Sequence, residues 1–174
     1  MDLEELQSLF TQTLRDTFAR EGIEQSHAAD LDREIAAQLE LVKRDLATGG
    51  KAEYFLVARS RDGIVGTAGA GPANDIIRAH AKFDIECTPE IKSVYIRPDW
   101  QGKGIGSMLF DAIQAYLAST GRTHFCLDTG YQAAREFWTR RLGPPTTIVE
   151  NFWGDGADHC IWYREVDTSS QHTM

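Results

Sequence analysis

The chain has 174 residues, of which 42% are hydrophobic and 25% charged, and this is the size and composition of one folded domain. These values exclude a disordered, collagen-like or coiled-coil protein. The net charge of −8 and the pI near 5.1 make nucleic acid and anionic membranes poor partners and favour cationic ones such as amines. We expect a single domain over residues 1–166, followed by a disordered tail over 167–174.

Three cysteines bear on compartment and metal content. Cys87, Cys126 and Cys160 are odd in number and widely spaced, so they match neither a disulfide framework nor a zinc-ligand pattern. They predict buried free thiols and no bound metal. The chain also lacks an apolar run near the roughly 18 residues of a membrane span, and its acidic start is atypical of a signal peptide. These features favour a cytoplasmic protein without a membrane partner.

The spacing of apolar residues predicts helices in the first fifty residues and a mixture of strands and helices after them. Residues 71–89 give no clear pattern. The predicted elements are a helix from Asp2 that ends near Gly22, a helix at 28–46, strands at 53–58, 64–70 and 91–96, a helix at 104–117, a strand at 123–127, a helix at 133–142, and strands at 146–152 and 160–166. This order favours an α/β (α+β) sandwich around a mixed sheet, with a strand–helix–strand unit at its centre.

Residues 90–107, which read EIKSVYIRPDWQGKGIGS, run from a strand through a glycine-rich turn into a helix. Gly102, Gly104 and Gly106 lack a Cβ atom, so successive backbone N–H groups can converge on an anion, and the helix start adds its unpaired N–H groups. Lys103 and Arg97 add positive charge. The segment therefore predicts a phosphate or pyrophosphate site.

Two common phosphate motifs fit this segment poorly. A P-loop needs a Gly-Lys-Ser/Thr ending that the turn lacks, and a dinucleotide-binding turn needs a glycine where Ser107 stands. A nicotinamide-dependent oxidoreductase is therefore a weaker hypothesis. A glycine-rich turn that only starts a helix is the structural alternative.

The motif Gln101-Gly-Lys-Gly104-Ile-Gly106, placed after a strand and Pro98, resembles motif A of the GCN5-related N-acetyltransferases. Leu127-Asp-Thr-Gly130, followed by an aromatic helix that ends at Gly143, resembles motif B of that family. The resemblance extends over about residues 50–166. It implies a mixed, mostly antiparallel central sheet with helices on both faces, and acetyl-CoA as co-substrate.

The resemblance also implies which residues bind the cofactor. The backbone of the central strand would pair with the pantetheine arm, and the loop amides would hold the pyrophosphate. A backbone N–H near the end of the strand would face the thioester carbonyl. The implied cofactor-binding residues are Val94, Tyr95, Ile96, Gln101, Gly102, Lys103, Gly104, Ile105, Gly106 and Ser107.

The reaction implied by the resemblance is direct attack of an amine on acetyl-CoA, which needs a base and a proton for the leaving thiolate. Glu90 matches a glutamate found on this strand in the family and is the candidate base, and Asp128 is the alternative. The family's usual acid is a tyrosine of the motif B helix, but Trp138 or Thr139 stands at that position. Tyr131 is the remaining candidate acid, with water as the other source.

The last predicted turn, residues 153–159, contains the candidate acceptor residues. Trp153 offers an aromatic face to a cation, with Asp155 or Asp158 as its counter-ion. An ordinary hairpin turn is the structural alternative, because aspartate and glycine are common in turns. The acceptor class is a small-molecule or peptidic amine.

Two further expectations concern activity and assembly. The missing motif B tyrosine leaves a non-catalytic acyl-CoA-binding regulatory or interaction module as the alternative to an N-acetyltransferase. Members of the family usually begin with a strand, whereas this chain begins with a helix. A missing first strand would expose the edge of the strand at 53–58, so we expect a homodimer.

Overall fold

The computed structural model describes residues 2–167, and within them the chain alternates helices and strands much as the sequence predicts. The elements are α1 (Leu3–Arg20), α2 (Ala28–Thr48), β1 (Tyr54–Ser60), β2 (Gly63–Gly71), α3 (Asp75–His80), β3 (Glu90–Ile96), a single 3-10 turn (Pro98–Trp100), α4 (Ile105–Ser119), β4 (His124–Thr129), α5 (Gln132–Leu142), β5 (Thr147–Val149) and β6 (His159–Glu165).

The six strands of the described residues are hydrogen-bonded in the order β1-β2-β3-β4-β6-β5. The pairs β1–β2, β4–β6 and β5–β6 are antiparallel, and β3 and β4 are parallel through the register Glu90↔Cys126. The predicted mixed, mostly antiparallel α/β fold is therefore confirmed. The single-domain prediction stays a prediction, because the chain divides into two compact units.

Of the described residues, the first unit comprises 2–70 and Ser93–Ile113. Its helix α1 follows the N-cap residue Asp2. The Asp2 carboxylate accepts hydrogen bonds from backbone N–H groups of the first turn, which would otherwise lack a partner within the helix. Apolar side chains recur every three or four residues along α1, so one face of this helix is buried. The buried residues of that face are Leu6, Leu9, Phe10, Leu14 and Phe18.

Of the described residues, the second unit comprises Gly71–Lys92 and 114–167, and its core lies along strands β4 and β6. Phe125 and Leu127 of β4 and Ile161 and Trp162 of β6 are almost wholly buried. The indole of Trp162 donates a hydrogen bond to the Gly143 carbonyl at 2.9 Å. This burial fixes β4 and β6 side by side, and with them the residues at the ends of these strands.

Several local predictions need correction. The predicted strand at 146–152 is shortened to Thr147–Val149, because residues 150–156 form turns. The unassigned stretch 71–89 contains the short helix α3, capped by Asn74. Cys126 and Cys160 are buried as predicted, but Cys87 is exposed, since it lies in the loop before β3.

No helix within residues 2–167 is long and apolar enough to cross a membrane. The predicted disordered tail lies, except for Asp167, outside the described residues.

Candidate functional site

The glycine-rich turn of the first unit has the backbone that the sequence predicts. Gly102 and Gly104 have φ angles of 73° and 81°, in the left-handed region that favours glycine. A Cβ atom built on either glycine would meet no other atom within 4 Å, so open space lies in front of both. This turn leads directly into α4, which begins at Ile105.

The first turn of α4 presents unpaired main-chain donors. The earliest helical bond runs from the Met108 N–H to the Gly104 carbonyl at 3.0 Å, so the N–H groups of Ile105, Gly106 and Ser107 precede the helical pattern. Three N–H groups and the positive end of the helix dipole suit an anion. We call residues 101–107 the glycine loop.

Arg97 and Lys103, the two positive side chains beside the glycine loop, differ in how available they are to an anion. Arg97 is bound to the Asp99 carboxylate by two hydrogen bonds of 2.7 and 3.0 Å, so its charge is largely neutralised locally. Lys103 Nζ lies 4.8 Å from the ring centre of Trp100, in cation–π geometry. Lys103 is exposed, which leaves its ammonium hydrogens available to an anion.

Gln101 holds the glycine loop to the strand before it. Its Nε2 donates to the Ile96 carbonyl at 3.1 Å, and Ile96 ends β3. This contact makes Gln101 a brace of the loop. Val94, Tyr95 and Ile96 form the last three residues of β3, as the sequence predicts.

The middle of β3 is distorted at Ser93. This residue has a φ of 55°, unusual for a residue with a Cβ atom. Its hydroxyl donates to Gln38 Oε1 at 2.5 Å, and its carbonyl accepts from the Thr67 hydroxyl at 2.7 Å. These two bonds from α2 and β2 hold the distortion immediately before Val94.

In the second unit, the two candidate bases lie on either side of one amide. Asn74 Nδ2 donates to Glu90 Oε1 at 3.2 Å and to the Asp128 oxygens at 3.1 and 3.0 Å. The Asn74 backbone N–H also donates to Glu90 Oε2 at 2.7 Å. The parallel register that places Glu90 beside Cys126 brings these carboxylates together, because Asp128 lies two residues beyond Cys126.

The environment of Glu90 suits proton transfer near neutral pH. Burial of the carboxylate raises its pKa to about 7, and the neighbouring charge of Asp128 also raises it. Lys92, whose Nζ lies 3.3 Å from Glu90 Oε2, opposes this shift. A carboxylate with such a pKa is a suitable general base at physiological pH.

A histidine that the sequence analysis did not select completes this group. His159, at the start of β6, is 4% exposed, and its Nε2 lies 2.8 Å from Asp128 Oδ2. Its Nδ1 accepts a hydrogen bond of 3.0 Å from the indole Nε1 of Trp153. Because an indole nitrogen only donates, His159 must carry its hydrogen on Nε2 and donate to Asp128.

The turn before His159 is largely organised by its own polar groups. Asp158 Oδ1 accepts a hydrogen bond from the Asn151 N–H at 2.9 Å, so one carboxylate oxygen of Asp158 stabilises the turn. Asp155 is exposed. Trp153 is 59% exposed although its indole nitrogen points to His159, and its ring contacts Phe152 edge to face.

The motif B helix offers no phenol at the position of the usual acid. Trp138 is buried and packs edge to face on Phe137, while Thr139 is exposed. Tyr131 is the N-cap of α5, three residues after Asp128, and its backbone N–H donates to Thr129 Oγ1 at 3.2 Å.

The sequence predicted Glu90 and Asp128 as site residues but not Asn74, His159 and Gln38. Asn74 stood in the unassigned stretch, where an Asn-Asp pair before apolar residues is a helix N-cap signal. His159 was treated as part of a turn. Among the described residues, no group of three or more His, Cys, Asp and Glu side chains is arranged to hold a metal ion.

Comparison with known proteins connects this geometry with a family. The family model described as the acetyltransferase (GNAT) family matches residues 6–143. No curated protein sequence matches the chain.

Solved structures share the fold at low sequence identity. The PaiA N-acetyltransferase from Thermoplasma acidophilum, in complex with coenzyme A, has a TM-score of 0.66 at 18% identity, over 94% of this chain and 92% of that one. A GNAT-family protein from Desulfovibrio desulfuricans has a TM-score of 0.64 at 23% identity, over 78% and 82%. Aminoglycoside 6′-acetyltransferase type Ii has a TM-score of 0.62 at 16% identity, over 96% and 95%.

Proposed function

Because the chain belongs to the acetyltransferase (GNAT) family, we propose that it transfers the acetyl group of acetyl-CoA to a primary amine of a small molecule or peptide. The observation that carries this proposal is the glycine loop, where two left-handed glycines with open space in front of them lead into the unpaired N–H groups at the start of α4. A diphosphate matches this array in charge and hydrogen bonding.

In the proposed complex, the cofactor runs along β3 to the glycine loop. The backbone of Val94, Tyr95 and Ile96 pairs with the pantetheine arm. The pyrophosphate accepts hydrogen bonds from the loop and the first turn of α4, through residues 102–107. Gln101 keeps the loop against the end of β3, so its role is to hold the binding surface in place.

The proposed reaction is a direct transfer. The amine nitrogen attacks the thioester carbonyl, the new N–C bond forms, the C–S bond breaks, and coenzyme A leaves as its thiolate. A main-chain N–H near Ile96 would stabilise the oxyanion, a contribution of about 3 kcal/mol in enzymes of known mechanism. The amine loses one proton and the thiolate gains one.

Glu90 is the proposed base, because its raised pKa matches the pH at which the proton must be accepted. Asp128, which accepts hydrogen bonds from Asn74 and His159, is the alternative base. For the leaving thiolate, Tyr131 or water is the proposed proton source, since Trp138 and Thr139 have no phenol.

The acceptor in this proposal is cationic. The exposed ring of Trp153 offers an aromatic face, and Asp155 and Asp158 add negative charge in the same turn. The acidic net charge of −8 favours encounter with ammonium groups in the same way.

The proposal is tested by incubating the protein with acetyl-CoA and a panel of amines and following release of the free thiol. Aminoglycosides, polyamines, amino acids and peptides with free N-termini make up the panel, and mass spectrometry of the acceptor detects the acetyl group. Turnover with at least one amine supports the enzyme. Binding of coenzyme A without turnover of any amine supports the acyl-CoA-binding module, which the missing motif B phenol favours.

We also propose that the protein forms a homodimer. Strand β1 lies at the edge of the sheet, so its outward main-chain groups can pair with a second copy. Light scattering coupled to gel filtration measures the mass directly. A monomer at the concentrations used for activity would contradict the dimer and leave the acetyltransferase proposal intact.

A further inference from the structure

We propose that a chain of hydrogen bonds from Trp153 positions Glu90 as the proton acceptor of the acetyl transfer. The chain, which we call the relay, passes through three further side chains, in the order His159, Asp128 and Asn74. This inference rests on the proposed function, because it assigns positioning residues to the proposed base.

The outer end of the relay fixes the hydrogen on His159. Trp153 Nε1 can only donate, so its 3.0 Å contact makes Nδ1 of His159 an acceptor. The histidine therefore carries its hydrogen on Nε2, where it donates to Asp128 at 2.8 Å. Trp153 thus holds the ring of His159 in the orientation in which Nε2 donates to Asp128.

The inner end of the relay is fixed by the cap of α3. Asn74 Oδ1 accepts the backbone N–H of Ile77 at 2.9 Å, so the amide cannot turn without losing its cap. The amide hydrogens must then face the two carboxylates. One side chain holds Glu90 and Asp128 at a fixed separation, and the Asn74 backbone N–H adds a second donor to Glu90.

The charged groups around Glu90 shift its pKa, and the relay acts on one of them, Asp128. Lys92 on β3 favours ionisation of Glu90, whereas Asp128 on β4 opposes it. The Cys126 thiol lies in the same field, and burial, with Glu90 and Asp128, raises its pKa to about 12, so it adds no charge near pH 7. The negative charge of Asp128, which the hydrogen bonds from Asn74 and His159 hold in place, acts on Glu90 and makes Glu90 a stronger base.

This account predicts the effect of breaking the relay at each end. In Trp153→Phe an aromatic ring is kept but the indole donor is lost, so the ring of His159 is no longer held toward Asp128 and the carboxylate of Asp128 can turn away from Glu90. In Asp128→Asn the charge is removed directly. Both variants should lower the midpoint of the Glu90 titration, by about one pH unit, because a like charge near a carboxylate typically has that effect.

Two further variants separate positioning from mere packing. His159→Gln keeps a donor in the place of Nε2, so Asp128 stays held and the Glu90 midpoint should stay near that of the unaltered protein. His124→Gln is the matched control, because His124 is a histidine of the neighbouring strand that stacks on Tyr163 and lies outside the relay. It should leave the midpoint unchanged.

The experiment is a carbon-detected NMR titration of the full-length protein, with the Glu90 carboxyl signal identified by its absence in Glu90→Gln. Nitrogen-detected spectra at pH 8 report the tautomer of His159. Neither readout needs acetyl-CoA or turnover, so failure of the proposed function would not affect them. Circular dichroism checks that each variant is folded, and Trp153→Phe alters a largely exposed side chain.

The expected result is a hydrogen on Nε2 of His159 in the unaltered protein, with lowered Glu90 midpoints in Trp153→Phe and Asp128→Asn only. The proposal is overturned if Glu90 keeps its original midpoint in both Trp153→Phe and Asp128→Asn while these variants are folded. It is also overturned if His159 carries its hydrogen on Nδ1 in the unaltered protein. If the midpoints move as expected but no amine is acetylated, the relay stands and the proposed function fails.

Discussion

Gly130 and Trp153 approach each other so closely that a Cβ atom on Gly130 would lie 2.4 Å from the indole Nε1 and 2.8 Å from Cδ1. Only glycine therefore allows the indole to reach His159. The loop that carries Trp153 can therefore pack against the end of β4 only because Gly130 has no side chain.

Gly130→Ala should separate Trp153 from His159 with little loss of stability, because the exposed indole can swing outward into solvent. We expect altered tryptophan fluorescence, a nearly unchanged unfolding midpoint and a lowered acetylation rate. Trp153→Phe is the comparison variant, since it removes the same hydrogen bond. A Gly130→Ala protein with the activity and the fluorescence of the unaltered protein would contradict this description.

Gly104→Val should strongly weaken binding of coenzyme A, because its side chain would fill the open space in front of the glycine loop. We expect the affinity to fall on the order of 100-fold, equivalent to about 2.7 kcal/mol, in isothermal titration calorimetry. Gly121→Val is the matched control, because Gly121 also has a positive φ, of 74°, and open space around it, but lies in the turn after α4. Equal affinity of the two variants would reject the glycine loop as the binding site.

Glu90→Gln should slow acetyl transfer and remove the acidic limb of the pH–rate profile. In the unaltered protein, kcat/KM should rise with pH through about 7, because Glu90 accepts a proton only when ionised. The loss expected for a general base is about 10²- to 10⁴-fold. Glu86→Gln, at an exposed carboxylate, is the control. A Glu90→Gln profile that keeps its limb near pH 7 would exclude Glu90 as the base.

The same buried carboxyl should make stability depend on pH. Burial raises the pKa of Glu90 from 4.5 to about 7, so between these values the folded state binds more protons than the unfolded state. Glu90 therefore makes its full contribution to the free energy of unfolding below pH 4.5, and this contribution is lost as the pH rises through 7. Urea denaturation at pH 5 and pH 8 measures it, and Glu90→Gln should show a smaller difference than the unaltered protein.

The sequence predicted most elements of the fold because its local signals agreed with the packing. The apolar spacing of α1 and α4, the hairpin of β1 and β2 and the strand before the glycine loop depend on neighbouring residues alone. The strand expected at 146–152 was too long, since Asn151, with a φ of 53°, starts a turn whose hydrogen bonds to Asp158 and Gly156 the apolar pattern does not show.

The backbone of the glycine loop was predictable from the sequence, whereas the relay was not. The glycine loop is contiguous in sequence, so its spacing was visible. Asn74 and Asp128 are 54 residues apart, and His159 is another 31 beyond. Their meeting depends on the register of β3, β4 and β6, which no local pattern determines. The signal that was available, the Asn-Asp cap of α3, indicated a helix start and gave no sign of a carboxylate partner.

The central claim is that the glycine loop binds acetyl-CoA so that the acetyl group reaches an amine. The most direct measurement is thiol release by the unaltered protein and by Gly104→Val, with the amine panel and mass analysis of the acceptors. The account predicts an acetylated amine with the unaltered protein and none with the variant. Equal thiol release by both proteins, or no binding of coenzyme A by the unaltered protein at millimolar concentration, would contradict it.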